Sequence, residues 1–177
     1  MKIGLVAIFL LALPIQLVAD NYSGKSYVDA TKSFLDIKDP HRQAEAWAMC
    51  AASYDVMAEI LTSTAPARAK QLADLANGAE LAVIISMIAN KLDKDMSPEK
   101  FNSLWSFSKI SGAELPKTRR TILLAKFESD KSEGAVVFVA DVSKTVEVCA
   151  ANLEAQQTYI DIWRELATSG LLQMPAE

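Results

Sequence analysis

The stretch from Ala135 to Ala167, AVVFVADVSKTVEVCAANLEAQQTYIDIWRELA, decides the fold. Within it Ala135, Val139, Val142, Val146, Cys149, Leu153, Gln156, Ile160, Trp163 and Ala167 recur at alternating steps of four and three. That spacing keeps one face of a helix turned to a neighbour along its length. Val136-Val137-Phe138-Val139 by itself has the β-branched content of a strand. The helical register continues unbroken downstream, so one long helix is expected, closed by Gly170 as a left-handed cap.

The same pattern recurs upstream. Asp39-Pro40 is a helix start, a capping carboxylate followed by proline at the first helical position. From Pro40 to about Thr62 the apolar positions Trp47, Cys50, Tyr54, Met57 and Leu61 again step by three and four. Ser63-Thr64-Ala65-Pro66 breaks the chain, and a second helix is expected from Pro66 to about Leu92. It turns apolar on most sides at Leu81-Ala82-Val83-Ile84-Ile85-Ser86-Met87-Ile88, as a central helix does. Ser97 and Pro98 open a third helix, with a kink or short loop expected at Ser111-Gly112 and Pro116, a further piece from Pro116 to Glu128, and a turn over 130–134. Tyr27, Ala30, Phe34 and Ile37 suggest a short leading helix. The expected fold is therefore all-α: an antiparallel bundle of four main helices plus a short N-terminal one.

Cys50 and Cys149 are the only cysteines, and both fall on helix seams. A bridge between them would close a loop of about 100 residues, worth up to ~4.7 kcal/mol in the chain-entropy model. It would make the first long helix and the last antiparallel neighbours, with Met57 near Val142 and Trp47 near Leu153. Each cysteine precedes Ala-Ala, which would leave clearance beside the bridge. The absence of Cys-x-x-Cys argues against a redox-active pair.

Disulfides persist in oxidising compartments, and the N-terminus points the same way. Lys2, the apolar run Ile3 to Leu13, Pro14, and Leu17-Val18-Ala19 before Asp20 have the three-part pattern of a secretory signal, cut after Ala19. The run is too short for a membrane span of about 20 residues. A single domain over 20–177, periplasmic or secreted, is expected. Loss of Lys2 with the leader takes the formal charge from −4 to −5, which argues against a nucleic-acid binder.

Chemistry-bearing motifs are sparse. His41 is the sole histidine. It sits in a first helical turn, where the plain reading is a surface residue and the functional one a general base or metal ligand. No zinc spacing, phosphate loop, dinucleotide fingerprint or Gly-x-Ser-x-Gly is present, so no cofactor or metal is expected. Glu45, Glu59, Glu80, Glu147 and Glu154 lie on expected helices, and most are expected to face water; two of them converging would suit a hydrolase. Lys117, Arg119 and Arg120 form a basic patch suited to phosphate-bearing head groups on a membrane surface, or to an acidic partner. Ile84, Ile85, Met87, Phe101 and Trp105 form either one hydrophobic layer or an apolar pocket. These features imply an exported, non-enzymatic binding or accessory protein of the cell envelope, partner and oligomeric state open. The alternatives are a carrier of a small apolar ligand or lipid between helices, and an envelope hydrolase using paired carboxylates.

Overall fold

The computed structural model describes residues 33–89, 91–93, 95–131 and 135–172. The leader, most of the expected leading helix and the tail after Leu172 lie outside the described residues. Among the described residues the chain forms a 3-10 turn, Phe34–Asp36, and five α-helices: α1 (Pro40–Leu61), α2 (Pro66–Ala89), α3 (Pro98–Asp130), α4 (Val136–Ala151) and α5 (Leu153–Thr168). No strand occurs among them. The all-α bundle stands, with its last member split in two.

The helix starts follow their sequence signals. The Asp39 carboxylate accepts from the His41 amide at 2.9 Å and the Arg42 amide at 3.5 Å. The Ser97 hydroxyl accepts from the Lys100 amide at 3.3 Å. Gly170 has φ 78° and lets the Leu172 amide turn back onto the Leu166 carbonyl at 3.2 Å. Leu172 is thereby buried with Ile88 and Phe101.

α1 and α2 form a tight helical hairpin. Both helices are rich in small buried residues, Ala44, Ala48, Ala51, Ala52 and Ala58 on α1 and Ala69, Ala76, Ala79 and Ala82 on α2. Small side chains let two helix backbones approach closely. α2 touches α1, α3 and α5, and this central place accounts for its apolar composition. By length and composition it is the one helix among the described residues that could cross a membrane.

α3 runs without interruption through Ser111, Gly112 and Pro116, against the expected break. Gly112 and Pro116 are both buried. A Cβ on Gly112 would lie 3.2 Å from the Ile84 side chain and 3.5 Å from Met87 Sδ. The glycine is therefore where α3 presses onto α2. The helix continues past a proline that removes one backbone hydrogen bond.

The largest departure from the sequence reading is at Asn152. Its backbone (φ −106°, ψ 14°) is not helical, and it divides the long helix into α4 and α5. Its buried side chain accepts from the Phe34 amide at 2.8 Å and donates to the Val148 carbonyl at 3.0 Å. The break lets α4 pack on α1 and α3 while α5 packs chiefly on α2. The continuous seam therefore does not exist: Val139 and Leu153 are exposed. The inward residues are Phe138, Val142, Val148 and Cys149 on α4, and Ala155, Gln156 and Tyr159 on α5.

Cys50 and Cys149 are joined, with Cα atoms 5.6 Å apart. The tie fastens the middle of α1 to the last turn of α4. Met57 packs beside Val142 as expected, so α1 and α4 run antiparallel. Trp47 is fully buried, while Leu153 is exposed. The Trp47 ring meets Phe34 edge-on at 4.8 Å and Tyr159 at 5.7 Å. Ala51 and Ala52 are buried, but Ala150 and Ala151 are exposed, so only the α1 pair acts as clearance.

Candidate functional site

One carboxylate goes inside. Ala44-Glu45-Ala46-Trp47-Ala48 is buried throughout, Glu45 included. Its carboxylate lies 3.5 Å from His41 Nε2, one turn earlier on α1, and 3.9 Å from the Arg119 guanidinium on α3. His41 is exposed and Arg119 is buried. An exposed imidazole and a buried guanidinium both approach one buried carboxylate. A carboxylate beside an imidazole can orient it. The arginine offsets the cost of burying the acid. Sequence reading expected most of the five glutamates to face water and did not single out Glu45. The signal that could have corrected this is an acidic residue set within an alanine and tryptophan run.

The basic cluster separates in the same region. Arg119 turns in to Glu45. Arg120, its neighbour, donates to Asp55 at 2.8 Å and to Glu59. Asp55 lies ten residues beyond Glu45, so the two arginines reach in opposite directions along α1, spanning roughly 15 Å of helix at 1.5 Å per residue. Lys117 donates to Glu114 at 2.8 Å. Lys117, Arg119 and Arg120 thus share one segment of α3, and each faces a carboxylate. Arg119 and Arg120 fasten α3 to α1, whereas the Lys117 pair lies within α3 and is exposed. Glu80, on α2, completes the group. Its carboxyl titrates above the usual range because it is partly withdrawn from water and lies near Asp55, with Lys117 opposing.

The apolar set divides between two layers. Ile85 belongs to the main core, with Met87 against it, and Ile84 and Met87 rest on Gly112. Phe101 stacks on Trp105 with ring centres 6.2 Å apart, beside Ile88 and Leu172. A pocket does occur elsewhere, against the disulfide. It is lined by Phe34, Ala46, Met49, Cys50, Thr145, Val148 and Cys149, with a free volume of about 10 Å³. That is room for about one water molecule.

Two polar contacts in the core escaped the sequence reading. The Ser86 hydroxyl meets the Tyr159 hydroxyl at 3.3 Å between α2 and α5. Burial raises the Tyr159 pKa, with Ser86 and the Trp47 indole opposing. The Gln156 side-chain amide donates to the Leu75 carbonyl at 3.1 Å, in the space left by Gly78. Tyr54 is buried on α1, and burial alone pushes its pKa up to about 12.

On the outside, several large apolar residues remain in water. Phe107 and Ile110 protrude from α3, and Val136, Val137 and Val139 from the first turn of α4, where Val136 is 68% exposed. Among the described residues no group of three or more His, Cys, Asp or Glu side chains is placed to hold a metal ion. No protein-family model, curated protein or solved structure matches the chain.

Proposed function

We propose that the chain is exported and works as a non-enzymatic binding or accessory protein of the cell envelope. The observation that supports this most is an apolar strip, Val136, Val137 and Val139, left exposed at the start of a helix that a disulfide fastens to the bundle. A contiguous apolar strip on a tied scaffold suits a contact surface. The disulfide suits an oxidising destination.

The test places a photo-crosslinking residue at Val137, at Phe107 and, as a control, at exposed Gln157 on α5 in cells that make the protein. Discrete adducts from Val137 or Phe107 and none from Gln157 are expected. Adducts from none of the three, or full-length chain held in the cytosol, would refute the proposal.

The hydrolase reading gains one observation, the 3.5 Å approach of His41 to Glu45. It requires that His41→Ala abolish hydrolysis of some envelope polymer or ester by the purified chain. Equal activity in the variant, or none in either, would remove it.

A further inference from the structure

α4 has the least helical character of its own. Seven of its sixteen residues are β-branched: Val136, Val137, Val139, Val142, Thr145, Val146 and Val148. β-branched side chains lose rotamer freedom in a helix and lower its intrinsic stability. Its start is uncapped, since Ala135 has φ 55° and makes no side-chain capping hydrogen bond. Its inward residues are few, Phe138, Val142, Val148 and Cys149, against twelve buried residues on α1 and ten on α2. An ion pair, Lys126 to Asp141, links it to α3 at the surface. The covalent tie sits in its last turn.

We propose that the Cys50–Cys149 bond is a redox latch on α4. A dithiol reductant opens it, and α4 leaves α1 and α3 while α1, α2 and α3 stay packed together. The thiolate of the reductant attacks one sulfur, forming a mixed disulfide and freeing the other as a thiolate. The second reductant thiol then displaces the first sulfur. The reductant ends as a disulfide, and two electrons and two protons pass to Cys50 and Cys149. Both cysteines are buried, so the reductant reaches the sulfurs when the last turns of α4 open locally, beside the small pocket lined by Phe34, Met49 and Thr145. Departure of α4 uncovers Val56, Leu123, Leu124 and Phe127, the apolar layer that Phe138 and Val142 cover in the latched state. The break at Asn152 allows this, because α5 keeps its own hold on α2 through Gln156 and Tyr159. The latch does not depend on whether the chain is an enzyme, but its opening would move the exposed Val136, Val137 and Val139 strip, which lies on α4.

The experiment is hydrogen exchange read by mass spectrometry on the purified, oxidised chain, with and without dithiothreitol at neutral pH. Reduction should speed exchange across 136–151 by about 100-fold or more, with 44–58 and 69–88 changing less than about threefold. The double variant Cys50→Ser with Cys149→Ser, without reductant, should give the same pattern. Uniform acceleration through all helices would overturn the latch, making the bond a global staple. So would an unchanged rate over 136–151 after complete reduction. If the double variant does not fold, reduction of the folded wild-type chain still separates these outcomes.

Discussion

Replacing Gly78 by alanine tests how α5 is seated on α2. In an exposed helix interior this change stabilises by about 1 kcal/mol. Here the added Cβ would lie well inside van der Waals contact with the Gln156 side-chain amide nitrogen and 3.2 Å from its Cδ. Gln156 is 3% exposed, so it cannot simply swing into water. Its amide must withdraw from the Leu75 carbonyl, and a buried polar group losing its partner costs roughly 1–3 kcal/mol. The net expectation is a loss of about 1 kcal/mol, a fall in Tm of roughly 2–4 °C for a chain of this size. In a Gln156→Ala background the obstruction is gone, and the same Gly78→Ala change should stabilise by about 1 kcal/mol. Urea unfolding of the four oxidised proteins, followed by tryptophan fluorescence, gives the cycle. A coupling of about 2 kcal/mol with reversal of sign is expected. If Gly78→Ala stabilises the wild-type chain, or acts equally in both backgrounds, the contact between Gly78 and Gln156 is not as described.

Three further outcomes concern Glu45, Tyr54 and Glu80. Glu45→Ala removes a buried carboxylate facing Arg119 and should destabilise the chain more than Glu45→Leu with Arg119→Met does; chemical denaturation at neutral pH compares them. Tyr54 holds its proton more tightly folded, at about 12, than unfolded at 10.0. The folded state therefore binds the extra proton between those values, and stability is fully present below pH 10 and falls by roughly 2–3 kcal/mol as pH rises to about 12. Tyr54→Phe should lack that part of the alkaline loss in urea midpoints taken from pH 9 to 12. Glu80 also has a raised pKa, so its contribution is complete at low pH and is lost as pH rises through the carboxyl range. Glu80→Gln should stabilise the chain at pH 7 and bring no gain below pH 4, a pattern that acid-side thermal melts will show or deny.

What the sequence made legible was local. Asp39-Pro40, Ser97-Pro98 and Gly170 mark helix ends because a cap needs only its immediate neighbours, and all three act as expected. The pairing of Cys50 with Cys149 was also legible, since two seam positions with the same chemistry leave few alternatives. What misled was decided across the fold. Pro116 carries a breaking signal of about 3 kcal/mol, yet α3 continues, with Gly112 and Pro116 both buried. Asn152 shows no breaking signal, since asparagine is tolerated in helices. It ends α4 because its amide satisfies the Phe34 backbone 118 residues away. The four-and-three spacing ran through that break by coincidence and placed Val139 and Leu153 inside. The charged cluster was misread for the same reason. Arg119 and Glu45 are ordinary surface residues by composition, and only the crossing of α3 over α1 brings them together in the interior.

The account depends on a covalent link across the bundle made after the chain has left a reducing compartment. The most direct measurement is on protein recovered from cells that produce it, alkylated without reduction, digested and weighed by mass spectrometry. The expected result is an N-terminus at Asp20, a single cross-linked pair containing Cys50 and Cys149, and no alkylated cysteine. Two alkylated cysteines on a chain that still begins at Met1 would contradict it.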